Sequence, residues 1–134
     1  MTQTRSANGV GRGIEIRIGE RVFPAVLNDS VTAGQVFDAL PLCGDGHRWG
    51  DEIYFDVGAD FDAGDQREEV KIGDIAYWRP GRALCLFYGR TPASTSDHPR
   101  AASPVTVIGT LTADAHALAS LTDLDNIRVA KQPS

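Results

Sequence analysis

The chain has 134 residues, 42% of them hydrophobic, which suits one compact domain and leaves no room for a catalytic domain beside a binding domain. Thirteen basic residues against eighteen acidic give a net charge of −5, which argues against a nucleic-acid partner, because such a surface needs a basic face. No apolar run approaches the ~20 residues that a membrane helix requires, so no membrane partner is expected.

Residues 1–12 are polar, contain glycine and lack an apolar run, so they are expected to form a flexible N-terminal tail and no secretory signal. Gly9, Gly11 and Gly13 precede a strand, whereas a dinucleotide-binding loop needs its glycines after one. The folded domain is expected over 13–124, with a C-terminal tail over 125–134. Within it, GIEIRI (13–18) alternates Ile14, Ile16 and Ile18 with Glu15 and Arg17, the pattern of a half-buried strand. Gly19-Glu20 suits a hairpin turn into RVFPAVL (21–27), and Pro24 points to an edge or a bulge there. Thr32 with Gln35 predicts a capping box, and Ala33, Val36, Phe37 and Leu40 then share one face of a helix that Pro41 ends.

GDEIYFDVG (50–58) predicts a strand with Ile53, Phe55 and Val57 on one side and Tyr54 on the other. Residues 59–69 predict an acidic surface loop. DIAYWRP (74–80) and ALCLFYG (83–89) read as strands joined by a tight Pro-Gly turn, the second apolar on both faces and so covered on both sides. A long loop is expected over 90–104, then a strand VTVIGTL (105–111) and a short helix from Asp114 to Leu121. Many short strands with two helices predict a small barrel or sandwich.

His47, His98 and His116 stand apart from any Cys or His at ligand spacing, so no metal site is expected. Ser96-Asp97-His98 holds the letters of a triad, but consecutive residues do not converge on one atom. Cys43 and Cys85, without a secretory signal, are expected to be free, buried thiols in a reducing cytoplasm. Ten carboxylates lie between Asp45 and Asp74, and their spacing is not that of a calcium loop. From Arg79 to Arg100 the balance reverses, with four arginines and one acid, Asp97. Arginine is the better residue for holding a carboxylate or a phosphate. Trp49, Tyr54, Phe55, Tyr77, Trp78, Phe87 and Tyr88 are seven of the ten aromatics, and the tyrosine hydroxyls need partners if buried.

Thr32 to Leu40 resembles the first-helix signature of the cyclophilins, GDIAYWRPGRALCLFYG is similar in shape to their later strand pair, and Val107 to Leu111 to their last core strand. The resemblance is closer to a family of small prokaryotic cyclophilin-like proteins, carried by Trp49 to Phe55, Gly73 to Gly89, Thr91 to Ser94 and Ser103 to Gly109. It implies a mainly β fold: a small closed antiparallel β-barrel with two capping helices. Cyclophilins place their isomerase arginine on the strand after the first helix, and Asp51 to Val57 contains none. Gln66 lacks the expected glycine setting, and Arg100 and Val105 stand where a tryptophan and a histidine would be.

The reading is a domain that binds a peptide or a small anionic molecule in a cleft on the outer barrel face, with no cofactor. Tyr54, Tyr77, Arg90, Thr91, Ser94 and Arg100 are the expected lining residues. The alternatives are a peptidyl-prolyl isomerase with a non-standard site and a structural or interaction subunit.

Overall fold

The structure, a computed structural model, describes residues 12–133. The expected N-terminal tail lies outside them apart from Arg12, which opens the first strand. Strands β1 (Arg12–Ile18) and β2 (Arg21–Leu27) form the predicted hairpin. Pro24 lies just outside the three-residue ladder, Ala25 to Leu27, that β2 makes with its other neighbour. Helix α1 (Val31–Ala39) follows. Its cap is Ser30, whose hydroxyl accepts the Ala33 amide at 3.1 Å, rather than Thr32. Gln35 does not close a capping box either. It donates to the Asp62 carboxylate at 2.9 Å and accepts the Asp62 amide at 2.8 Å, tying the helix to the following loop.

Two three-residue strands, β3 (Leu42–Gly44) and β4 (Gly46–Arg48), precede β5 (Glu52–Asp56). Within the segment expected to be loop only, Arg67–Glu69 forms β6, and Phe61 is buried. β7 (Asp74–Trp78) and β8 (Ala83–Phe87) flank one 3-10 turn, Arg79–Gly81, with Arg82 left-handed at φ 48°. β9 (Arg100–Leu111) starts earlier than expected, so the preceding loop is shorter. The second predicted helix is a 3-10 segment, Ala115–Ser120, capped by Asp114. The segment expected as a C-terminal tail supplies β10 (Ile127–Lys131), which pairs with both β1 and β3.

The strands form one antiparallel sheet in the order β3-β10-β1-β2-β9-β7-β8-β5-β4, with β6 added to β9. The expected closed barrel is not found, because its two end strands, β3 and β4, do not pair. They are consecutive and joined by Asp45 alone, and an antiparallel hairpin needs a loop of about two residues to fold back. The chain instead steps from one edge of the sheet to the other. The gap is held by Asp45, which accepts the Asn126 amide at 2.8 Å, and by the Gly46 amide, which donates to Leu124 at 2.7 Å.

Period-two alternation divides the sheet between two apolar layers. Ile14, Ile16, Phe23, Ile53, Phe55, Tyr77, Leu84, Leu86 and Ile108 pack on one face with Ala33 and Val36 of α1. Cys85, Phe87, Ala76, Ala101, Val105 and Val70 form a smaller layer on the other face. β8 is buried at all five positions because it feeds both layers.

Candidate functional site

The outer layer carries a half-open cavity of about 190 Å³. It is built where β5, β8, β7 and β9 run side by side, with Tyr54 opposite Cys85, Cys85 opposite Ala76, and Ala76 opposite Val107. Glu52 and Tyr54 reach it because they alternate with Ile53 and Phe55, which the inner core claims. Cys85 forms part of the floor, and Ala101, Ala102 and Val105 of β9 line the far side.

Three rings wall it: Trp49, Tyr54 and Trp78. Both tryptophans of the chain are therefore at this one place. Trp49 and Glu52 close the β4–β5 turn, each amide donating to the other's carbonyl at 2.9 and 3.2 Å. Gly50, at φ +60°, sits in that turn against Thr91 and Pro92, where a Cβ would come within 2.7 Å of Pro92. The turn is docked further by the Asp51 amide, which donates to the Arg90 carbonyl at 2.8 Å. Trp78 donates its indole N–H to the Ser103 hydroxyl at 2.7 Å, and its ring covers Gly81, where a Cβ would stand 2.5 Å from it. Tyr54 packs against His47 of β4, ring centroids 5.5 Å apart. The walls are thus fixed from behind by hydrogen bonds and close packing.

Glu52 is 6% exposed. Burial pushes its carboxyl up from 4.5 to about 7, an effect that a hydrogen bond with the Cys85 thiol partly offsets. Desolvation disfavours the ionised form, so at neutral pH the group exchanges between proton donor and anion. Cys85 is fully buried, and burial together with the adjacent Glu52 holds its thiol well above the ordinary range. It is a weak donor there and not a nucleophile. Lysine, arginine and histidine do not figure among the cavity's lining residues.

Of the six residues expected to form a cleft, only Tyr54 lines this cavity. Tyr77 points to the other face. It is fully buried in the inner core, edge-on to Phe61, with its hydroxyl accepting the Phe61 amide at 3.0 Å and donating to Ala59 at 3.3 Å. Thr91 donates to the Arg100 carbonyl, and Ser94 donates to His98 at 2.8 Å and accepts the Thr91 amide at 3.0 Å. Both side chains brace the loop before β9. The Arg100 guanidinium pairs with Glu68, joining β9 to β6. Arg90 is exposed, outside the cavity lining. Sequence reasoning passed over Trp49, Glu52, Trp78 and Cys85. The spacing Glu52-x-Tyr54 held a signal, since it puts a carboxylate on the same strand face as the expected cleft tyrosine.

Among the described residues, no group of three or more His, Cys, Asp or Glu side chains gathers that could hold a metal ion. Cys43 is exposed, against expectation, while Cys85 is buried, and both are free thiols. No helix among the described residues is long and apolar enough to cross a membrane.

The mainly β, antiparallel sheet with one clear helix places the chain in the cyclophilin-like class, without the closed barrel that the resemblance implied. The chain belongs to the cyclophilin-like family, whose model matches residues 12–130. It is similar to the hypothetical protein AF2241 from Archaeoglobus fulgidus, with 34% identity and a TM-score of 0.76 to its solution structure, covering 96% of this chain and 100% of that one. No curated protein matches the chain.

Proposed function

We propose that this protein is a ligand-binding domain whose site is the outer-face cavity between Trp49, Tyr54 and Trp78. The carrying observation is the combination of a half-open, mostly apolar pocket with one buried carboxyl in its wall. Few convergent polar groups in a mostly apolar pocket are the usual anatomy of a binding site. Its volume of about 190 Å³ suits one ring-sized group, since a cavity of about 150 Å³ takes up benzene. The absence of a cation from the lining gives no support to an anionic ligand at this place. Arg100 is engaged with Glu68, which fits a role in joining β9 to β6 better than anion recognition.

Tryptophan emission tests the proposal directly, because both tryptophans line the cavity. Titration with a small aromatic compound such as benzyl alcohol, or with a short peptide bearing a ring, is expected to shift the emission saturably. Trp78→Leu should weaken that binding. Unchanged emission and no heat of binding with either class of probe would rule the site out.

The outer face is also where the resemblance to cyclophilins would put a prolyl isomerase site, and a prolyl ring fits the volume. Catalysis needs a donor to the prolyl nitrogen as the amide loses resonance, against a barrier of ~18–20 kcal/mol. The donors available are Tyr54, Trp49 and protonated Glu52, none with a positive charge. The expected result on a Xaa-Pro peptide, followed by NMR exchange, is isomerisation at the uncatalysed rate of roughly tens of seconds. Fast exchange at catalytic amounts of protein would restore the isomerase reading.

A further inference from the structure

We propose that the cavity takes the positively charged nitrogen of an organic cation, an amino or quaternary ammonium group, held against the Glu52 carboxylate and between the Trp49, Tyr54 and Trp78 rings. This rests on the reading of the cavity as a ligand site and adds the chemistry of what enters it.

Glu52 is almost wholly removed from water, yet it takes part in no ion pair among the described residues. A carboxylate so placed is costly unless a cation joins it. Its neighbours do not supply one: Cys85 across the ladder offers only a thiol, and β7 and β9 offer Trp78, two alanines and a valine. The ionised form therefore has no cationic partner in this wall, and an outside group can supply one. Aromatic faces carry the negative end of the ring quadrupole, so they attract a cation that has lost its water shell, and tryptophan does so best. Three such rings around one unpaired carboxyl provide both parts of an ammonium site. An anion would meet the same rings and a like charge. A neutral hydrogen-bonding ligand would use the protonated carboxyl and gain nothing from the ring faces beyond contact.

The rings are also preorganised, which lowers the cost of binding. Trp78 is pinned between Ser103 and Gly81, and the backbone that carries Trp49 is fixed by the docked turn. The available volume limits the cation to a single head group with a short alkyl or ring substituent. Such a group is offered by a free amine or by the side chain of a lysine in a peptide.

The experiment compares three probes of one shape on the intact chain: benzylammonium, benzyl alcohol and benzoate, read by tryptophan emission and by calorimetry at mildly alkaline pH. Benzylammonium is expected to bind at least about tenfold more tightly than benzyl alcohol, a difference of about 1.4 kcal/mol, and benzoate weakest. Glu52→Gln should lower that ratio several-fold, leaving only the preference that the ring faces supply. Benzyl alcohol binding as tightly as benzylammonium to the wild-type protein would overturn the cation reading while leaving the site standing, and this result needs no variant. Silence of all three probes would overturn both. A second pair, butylammonium and a capped Ala-Lys-Ala peptide, separates the sources: tighter binding of the peptide assigns the cation to a lysine side chain, and tighter binding of the amine assigns it to a small molecule.

Discussion

Glu52 is the residue at which folding and function pull in opposite directions. Its folded-state pKa of about 7 lies above the ordinary 4.5. The folded protein therefore holds the proton more tightly than the unfolded chain does, and stability falls as the pH rises. The destabilisation is absent below 4.5, grows through the interval, and is complete above about 7. A shift of this size corresponds to about 3 kcal/mol at 1.36 kcal/mol per unit. Asp74, whose carboxyl burial also raises, acts in the same direction. Glu52→Gln is expected to stabilise the protein above pH 7 and to flatten the slope, as urea unfolding at several pH values would show. An unchanged pH profile in this variant would place the destabilising group elsewhere. The two cysteines give a separate test at this scale. Cys43 is exposed and Cys85 buried, so a thiol reagent should titrate one group in the native protein and the second only on unfolding. Two fast thiols in the native state would mean that the outer layer opens readily.

At the scale of elements, the short connections do the positioning. The 3-10 turn between β7 and β8 brings Gly81 under the Trp78 ring, where a methyl group would stand 2.5 Å from ring carbons. Gly81→Ala must push the indole toward the cavity or distort the turn. Overpacking of this kind costs about 1–3 kcal/mol. The variant is expected to melt earlier, to change its tryptophan emission and to bind cavity probes less well. Wild-type emission and binding in Gly81→Ala would show that the turn yields without moving the ring. The loop before β9 works by a different means. Thr91 and Ser94 satisfy its backbone from within, so it presents Ala101 and Ala102 to the cavity in a set position. Polar residues there act as internal braces, which is why they resemble ligand-binding residues when read by type alone.

The whole molecule depends on its last strand. β10 fills the place between β3 and β1 and buries Ile127 and Val129 almost completely. Full burial of such side chains contributes ~1.5–3 kcal/mol each, against a total stability of ~5–15 kcal/mol for a typical domain. The backbone ladders to both neighbours would be lost with them. A chain ending at Asn126 is expected to lose cooperative thermal unfolding and near-ultraviolet circular dichroism. A truncated chain that still unfolds sharply would show that β1 and β3 can close the gap without it. The sheet's two edges meet through Asp45 and the segment before β10 rather than by strand pairing, so the molecule's curl depends on the end of the chain.

Much of the architecture was determined by the sequence itself. The alternation of Ile14, Ile16 and Ile18, the apolar run of β8 and the turn residues between β7 and β8 each specify a local geometry within a few residues. The motifs from Trp49 to Gly109 pointed to the family, whereas the order of strands in the sheet and its failure to close came from the tertiary structure. The tertiary structure also decided which face each strand turns inward. Tyr54 and Tyr77 both alternate with apolar neighbours, yet Tyr77 is buried in the inner core against Phe61 while Tyr54 faces the cavity. The same holds for Glu52, an ordinary acidic residue in a charged stretch until β8 and β9 remove it from water. Desolvation depends on what distant segments bring alongside a side chain, and no local period records that.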